Sequence, residues 1–277
     1  MKKQLLKYRG LLLSVLLSGL MILTIGCCVD PNCNDDYFDD DDRYSEEIDS
    51  YQEIRLSTQT TFSLEAINGR IEIEGTTADS VVQVWADKQV RADSDWEAKR
   101  YLEDLEVRVS SNNNGVYVET RHPSKHDVTF IVDYRIVIPE WFDVKVEHVN
   151  GDITAHDLSG AIDVDLTNGD IEFLDCTSSI WTNITNGSID AGITLPQNGT
   201  CNFSITNGTI DLMVPDSTNA KLDAGIINGT IGISGLNIAN SEVSNKSAKG
   251  TLGSGDGLIK LRITNGTIQI QGRTEDE

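Results

Sequence analysis

The chain is short of positive charge and of aromatic residues. It has 22 lysines and arginines against 44 aspartates and glutamates, which gives a formal net charge of −22 over 277 residues. A field of this sign repels phosphate groups, so the composition argues against nucleic-acid binding. Aromatic residues make up only 6%, whereas glycine occurs 23 times. This balance suits an all-β repeat protein with many corners, and 39% hydrophobic residues are enough to build a sizeable core.

Cysteine and histidine are too few and too scattered for the familiar catalytic and metal sites. The chain has 5 cysteines and 4 histidines, with no CxxC pair and no Cys/His spacing typical of zinc. His122 and His126 are weak metal-ligand candidates in one loop, without a clear third ligand. No Ser/His/Asp or Cys/His arrangement for nucleophilic catalysis stands out. We therefore expect a protein that is not an enzyme.

The N-terminus has the pattern of an export signal. Basic residues at positions 2, 3, 7 and 9 precede an apolar stretch over 11–25, and the sequence Leu-Thr-Ile-Gly-Cys follows at 23–27. A small residue before a cysteine at this place resembles a bacterial lipobox, although Thr24 stands where leucine is usual. We therefore predict a lipoprotein signal peptide over 1–26 and lipid attachment at Cys27, which would anchor the exported protein to a membrane. Ordinary secretion and an uncleaved anchor are the alternatives.

An acidic tether is predicted over 27–53, because its run Asp-Asp-Tyr-Phe-Asp-Asp-Asp-Asp at 35–42 is too charged to fold alone. A calcium loop is an alternative there, but the run lacks the glycine and the terminal glutamate of an EF-hand. In an oxidising compartment Cys28 and Cys33 could pair. Cys176 and Cys201 lie within the repeats at positions that are not equivalent, and Cys201 is expected to be a small buried hydrophobe. The disulfide pairing of these four cysteines is not readable from the sequence.

Residues 54–142 are predicted to be β-rich, since apolar residues alternate with polar ones along most of this part. One amphipathic helix interrupts the alternation. Ser94 and Glu97 have capping-box spacing, and four apolar side chains then fall on one helical face at Ala98, Tyr101, Leu102 and Leu105. Such a helix is a natural cover for an open solenoid end or a sheet edge.

A repeated Thr-Asn-Gly-x-Ile phrase dominates residues 143–272. Its asparagines are spaced 18, 18, 21, 21 and 37 residues apart, at Asn150, Asn168, Asn186, Asn207, Asn228 and Asn265. The last spacing predicts one degenerate coil within 234–257, and Asn68 is an outlying copy. Residues 273–277 remain as a charged tail.

The columns around each asparagine predict the fold. The side chains six, four and two residues before each asparagine are nearly all apolar, and so are the side chains three and five residues after it. Two alternating strands can face one core only if the chain turns a corner at Asn-Gly. A meander of hairpins is the alternative, since Asn-Gly is also a hairpin signal. The fixed coil length favours a single-stranded β-solenoid (β-helix) of 18–21-residue coils. Its stacked asparagines would form a structural ladder, and His148 would be a satisfied residue of an inward column.

One polar column is a candidate site. Four residues after the asparagine stand Glu172, Asp190 and Asp211, which in-register stacking would place about 4.8 Å apart. Like charges this close repel by about 1 kcal/mol in water. Bound Ca²⁺ or a basic partner would relieve that repulsion, and a solubilising outer face is the plain alternative.

The repeats, following a signal segment and a β-rich part with one helix, resemble the bacterial putative-adhesin domain family of unknown function. The segment Val132-Asp133-Tyr134-Arg135-Ile136-Val137-Ile138-Pro139 before the first regular coil is part of this similarity, which spans about residues 62–272. The resemblance implies an exported or membrane-tethered solenoid and offers no catalytic residues. We therefore expect a non-enzymatic envelope lipoprotein that binds a protein or a glycan. A scaffold or sensor in envelope-stress signalling and, less favoured, a carbohydrate-active enzyme are the alternatives.

Overall fold

A computed structural model describes residues 44–78 and 80–274 of the chain. The predicted signal peptide, Cys27, Cys28, Cys33 and the acidic run at 35–42 lie outside the described residues, as do residues 275–277 of the predicted tail. Within the described ranges the elements are β1 (Tyr44–Arg55), β2 (Thr61–Asn68), β3 (Ile71–Thr76), β4 (Val81–Ala92), α1 (Asp95–Asp104), β5 (Glu106–Ser111), β6 (Gly115–Arg121), β7 (Thr129–Pro139), β8 (Asp143–Asn150), β9 (Ile153–His156), β10 (Ile162–Asn168), β11 (Ile171–Cys176), β12 (Ile180–Ile193), β13 (Thr200–Pro215), β14 (Ala220–Ser234), β15 (Ile238–Val243), β16 (Ser247–Leu252) and β17 (Gly257–Arg273).

The strands form two walls that meet at the Asn-Gly corners. Wall 1 contains the strand segments before the corners, together with β5, β6, β15 and β16, which have no corner. Its strand order is β5-β6-β2-β8-β10-β12-β13-β17-β14-β16-β15. Wall 2 contains the segments after the corners, together with β1, β4 and β7, which have no corner. Its strand order is β1-β4-β7-β3-β9-β11-β12-β13-β17-β14. Each regular coil contributes one strand segment to each wall, and neighbouring coils pair in parallel.

The core lies between the walls, where the predicted apolar columns are buried. In the coil of β12, for example, Ile180, Ile184 and Ile189 are at most 4% exposed. Phe173 of wall 2 and Phe203 of wall 1 stack in this core, with ring centroids 6.0 Å apart. Parallel, in-register pairing between coils excludes the hairpin meander for these repeats, because hairpin neighbours would run antiparallel. The predicted all-β solenoid is confirmed.

Glycine is required at the corner for two reasons. The backbone of Gly187, Gly208 and Gly266 has φ of 146° to 149°, a region that L-residues with a side chain rarely adopt. A Cβ on Gly208 would also overlap the carbonyl oxygen of Gly187 on the adjacent coil. Beside these glycines the asparagines stack in the order Asn68, Asn150, Asn168, Asn186, Asn207, Asn265 and Asn228. From Asn150 onward, each Nδ2 donates to the Oδ1 of the preceding asparagine at 2.7–2.9 Å.

The order of the stack differs from the order of the sequence at both ends. β17 lies between β13 and β14, so the last coil in the sequence is not the last in space. The prediction of a degenerate coil within 234–257 is wrong, because β15 and β16 form an antiparallel hairpin there and β16 pairs antiparallel with β14. Asn68, the outlying copy, is the direct neighbour of Asn150, because β2 inserts between β6 and β8.

The N-terminal part extends both walls and carries the helix. The Ser94 hydroxyl accepts a hydrogen bond from the Glu97 amide at 3.2 Å, which is the predicted N-cap. The helix buries Ala98 and Tyr101 and contacts β1 and β4. Residues 44–53, which the charge pattern assigned to the tether, instead form most of β1, paired antiparallel with β4. That pairing gives the strand a partner, which the charge pattern alone does not reveal.

Candidate functional site

The three predicted carboxylates lie side by side on the outer face of wall 2. Glu172 on β11 is in register with Asp190 on β12, and Asp190 is in register with Asp211 on β13. They share one offset from the corner, so the stacking that buries the apolar columns also aligns these side chains. All three are exposed. The structure thus brings together residues that are 18 and 21 positions apart in the sequence.

The carboxylates line a groove of about 480 Å³ that runs across the coils. Its second row, two residues after each asparagine, holds Asp152 and Asp170, with Arg70 at one end. We call this surface the acidic groove; its polar lining consists of Arg70, Asp152, Thr154, Asp170, Glu172, Ser188, Asp190, Thr209 and Asp211.

The two rows of the acidic groove differ in their hydrogen bonding. Asp152 Oδ1 accepts from the Asp170 amide at 3.0 Å, and Asp170 Oδ1 accepts from the Ser188 amide at 2.7 Å. These two carboxylates therefore tie one coil to the next. By contrast, within the described part of the chain no side chain or amide bonds to Glu172, Asp190 or Asp211. Their charges are unpaired and available to a ligand.

Metal binding by this groove was one of the expectations from the sequence. Across residues 44–78 and 80–274, no group of three or more His, Cys, Asp or Glu side chains is placed to hold a metal ion. His122 and His126 are not part of such a group; the His122 ring stacks on Phe130 at 4.6 Å and its Nδ1 lies 2.9 Å from the Pro123 carbonyl.

His148 lies in the inward column of wall 1, between Ala66 and Leu166. Its Nε2 is 2.9 Å from the Gly69 carbonyl, which requires the proton to be on Nε2. Its buried Nδ1 has no hydrogen-bond partner among the described residues. The expectation of a satisfied histidine is therefore met at one ring nitrogen only. Burial lowers the pKa of His148, and the bond to Gly69 opposes that shift only in part.

The two described cysteines are free and buried. Cys201 has no exposed surface, as expected for a small hydrophobe in an inward column. Burial raises the pKa of the Cys176 thiol to about 11 and raises the pKa of Cys201 as well. Both thiols are therefore protonated at neutral pH and poorly suited to nucleophilic chemistry.

A second acidic surface was missed by sequence reasoning. On the outer face of wall 1, Glu119, Glu65, Glu147 and Asp165 stand in register on β6, β2, β8 and β10. They border a concavity of about 570 Å³. The signal that could have found them is the shared offset of three residues before the asparagine for Glu65, Glu147 and Asp165. Glu119 lies outside the repeated phrases, so only the pairing of β6 with β2 reveals that it belongs to this surface.

Within the described ranges, no helix is both long and apolar enough to span a bilayer. Comparison with curated proteins finds no match. Among solved structures, a putative cell adhesion protein from Clostridium sporogenes is similar at 12% identity and a TM-score of 0.46, with 82% of this chain and all of that chain covered.

A putative adhesin from Bacteroides fragilis is similar at 10% identity and a TM-score of 0.32, over 80% of this chain and 97% of that one. A putative lipid binding protein from Parabacteroides distasonis is similar at 10% identity and a TM-score of 0.27, over 80% and 96%. The family model described as Toastrack DUF4097 matches residues 58–271, and the chain belongs to this family.

Proposed function

We propose that the protein is a non-enzymatic binding module of the cell envelope, anchored by lipid on Cys27, whose acidic groove binds a positively charged partner. One observation carries the binding site: three exposed, unpaired carboxylates stand on consecutive coils of a solenoid. A lysine- or arginine-rich protein segment has the charge that complements this row. The apolar segment and the lipobox-like sequence at 23–27 support export and anchoring.

The solenoid suits such a role because it holds the carboxylates in place before a ligand arrives. Strand segments of β11, β12 and β13 are paired on both sides, so the backbone loses little freedom on binding. Preorganisation of this kind lowers the entropic cost of association. Repulsion within the row also makes a cationic ligand favourable, since each rung adds about 1 kcal/mol of like-charge repulsion in water.

A binding role fits the groove better than catalysis. Acid–base catalysis by carboxyl groups needs two of them in different environments, so that one holds its proton while the other is ionised. Glu172, Asp190 and Asp211 are alike in exposure and in their lack of partners. The Toastrack family description and the names of the similar structures are also not those of enzymes.

The groove is tested by neutralising its free row. The variant Glu172→Gln/Asp190→Asn/Asp211→Asn is compared with Asp93→Asn/Glu103→Gln/Asp104→Asn, which removes the same charge from exposed residues around α1. Isothermal titration with a short poly-lysine peptide at low salt should show at least about a tenfold weaker affinity, or 1.4 kcal/mol, for the groove variant only. The wild-type affinity should also fall with added salt.

Equal weakening in the two variants would show that the peptide senses only the overall charge, and would refute the groove as a site. Anchoring is tested separately. With Cys27→Ala, incorporation of labelled fatty acid into the protein should be lost and the protein should leave the membrane fraction. Undiminished labelling of the Cys27→Ala protein would contradict the assignment of the lipid to this residue.

A further inference from the structure

The outer face of wall 1 carries unpaired negative charges toward one end and unpaired positive charges toward the other. At the β2 and β10 end, Glu65, Asp163 and Asp165 are exposed and form no ion pair within the described residues. At the β17, β14 and β16 end, the exposed Lys260, Lys221 and Lys249 likewise have no ion-pair partner among the residues described.

Most of the remaining charges of this face are already paired within one chain; the exception at the basic end is Glu242, an exposed carboxylate in register with Lys249. Lys145 lies 2.6 Å from Glu147, and Arg121 lies 2.8 Å from Glu119. Arg262 pairs with Asp223 at the basic end. The face therefore presents an excess of unpaired carboxylates at one end and an excess of unpaired ammonium groups at the other.

The middle of the face is uncharged and carries an exposed tryptophan. β12 is the central strand of wall 1, with β10, β8, β2, β6 and β5 on one side and β13, β17, β14, β16 and β15 on the other. Its outward residues are Trp181, Asn183 and Thr185, and Trp181 is 37% exposed. Trp181 and Asn183 are in register with Asn202 and Ser204 on β13, so no charge separates the two ends there.

We infer that this face binds the same face of a second copy of the chain, with a two-fold axis parallel to β12 and passing over it. Such an axis reverses the order of the strands and preserves the position along each strand. It therefore lays β10 over the partner's β13, β8 over β17 and β2 over β14. Acidic and basic ends then oppose each other twice, once on either side of the axis, as an isologous contact requires.

The opposed groups lie within reach of each other. Lys260 comes directly over Lys145, whose charge Glu147 already pairs, and its nearest free carboxylate is Asp163, in the same register on the adjacent β10. One strand spacing is about 4.8 Å, which a lysine side chain spans. Glu65 comes over Gly225, with Arg262 in the same register on the adjacent β17, while Lys249 lies two residues further along on β16.

Shape and area agree with this arrangement. The concavity of about 570 Å³ is bordered by Glu65, Glu147 and Asp165 on the acidic half and reaches across β12 to Ser204 on β13. It can receive long side chains of the second copy. Eleven strands at about 4.8 Å and about seven residues each at about 3.3 Å give roughly 1,200 Å² per copy. A stable interface needs about 800 Å² per partner. Trp181 lies at the axis, opposite its own copy, where tryptophan contributes most to binding.

The acidic groove stays accessible in this dimer because it lies on wall 2. Two grooves would then face away from the contact, and the dimer would bind a multivalent cationic surface more tightly than one groove does. The self-association itself does not depend on what the groove binds.

Charge exchange tests the arrangement in the full-length protein, purified in detergent and studied by sedimentation. Asp163→Lys alone and Lys260→Glu alone should each weaken dimerisation at least tenfold, because each creates two like-charge contacts. An equimolar mixture of the two variants should dimerise again, since both contacts then join opposite charges. Asp49→Lys, with the same charge change on β1 of wall 2 and outside the acidic groove, should leave dimerisation unchanged, and unaltered circular dichroism should show that each variant is folded.

The axis is tested by cysteine substitution in the same protein. Asn183→Cys should form a disulfide-linked dimer under mild oxidation beyond the level of the unsubstituted chain, because the two copies meet at β12. Glu65→Cys should not, because that residue lies three strands from the axis. A wild-type protein that remains monomeric at high concentration and physiological salt, where the net charge of −22 on each copy is screened, overturns the proposal. So does a dimer that Asp163→Lys and Lys260→Glu leave intact, or one that their mixture fails to restore.

Discussion

The corner glycine offers the sharpest test of how the coils stack. Gly208 has φ of 149°, and an added Cβ would overlap the carbonyl oxygen of Gly187 on the neighbouring coil. Gly208→Ala therefore meets two penalties. A residue with a side chain held at this φ costs about 1–3 kcal/mol, and forcing an extra carbon into a packed contact costs about 1–3 kcal/mol. Together they give an expected loss of about 2–6 kcal/mol in the free energy of unfolding.

A matched control lies on the adjacent coil. Gly192 is also a strand residue, but its backbone is outside the left-handed region and the nearest atom to its added Cβ is the Phe173 carbonyl oxygen at 3.9 Å. Gly192→Ala should be neutral or stabilising by up to about 1 kcal/mol, since alanine restricts the unfolded chain.

Urea-induced unfolding followed by circular dichroism measures both variants. The midpoint for Gly208→Ala should fall well below that of the wild type, while the midpoint for Gly192→Ala should not. If the two variants unfold within about 0.5 kcal/mol of each other, a difference that ordinary surface substitutions also produce, then steric exclusion at the corner is not what requires glycine, and the reasoning from the stacked backbone is refuted.

Asn186→Ala removes a side chain that both donates and accepts in the ladder, and it should lower the free energy of unfolding by about 1–2 kcal/mol. Asn228 is at the end of the ladder and makes one such bond, so Asn228→Ala should cost about half as much. Urea unfolding measures both variants, and equal losses would contradict a ladder. Cys176 should resist alkylation in the native protein, because burial raises the pKa of its thiol to about 11; peptide mapping after a brief iodoacetamide pulse should find it modified only in urea. Burial lowers the pKa of His148, so the unfolded chain takes up this proton first and folding stability falls as pH drops below about 6.5. The His148→Leu variant should lose less stability as the pH falls through this range. Identical pH profiles of stability for the variant and the wild type would count against a lowered pKa at His148.

The register of the acidic groove was predictable from the sequence, because Glu172, Asp190 and Asp211 share one offset from the corner. Once one column is buried, a slip of a single residue would expose every apolar side chain in the coil, so register is strongly specified. The same reasoning did not distinguish these three carboxylates from Asp152 and Asp170, whose oxygens are used by backbone amides of the next coil. That difference depends on hydrogen-bond geometry, which residue type does not reveal.

The N-cap at Ser94 and the buried face of α1 were also readable from the sequence, since both are local patterns. The assignment of 44–53 to the tether failed because the acidic composition of β1 obscured its pairing with β4. A strand at the edge of a wall has both faces largely exposed, so it lacks the alternation by which strands are found.

The sequence by itself determined the solenoid: repeated Asn-Gly corners, alternating apolar columns and near-constant spacing leave few other ways to bury those side chains. Only the tertiary structure decided the order of the stack, with β2 beside β8 and β17 between β13 and β14. The physical reason is that the coils are nearly interchangeable, so any of them offers the same hydrogen bonds and the same columns to a neighbour. Long-range strand pairing selects among these equivalent partners, and it alone places Glu65 and Glu119 next to Glu147 and sets the acidic end of wall 1 apart from the basic one.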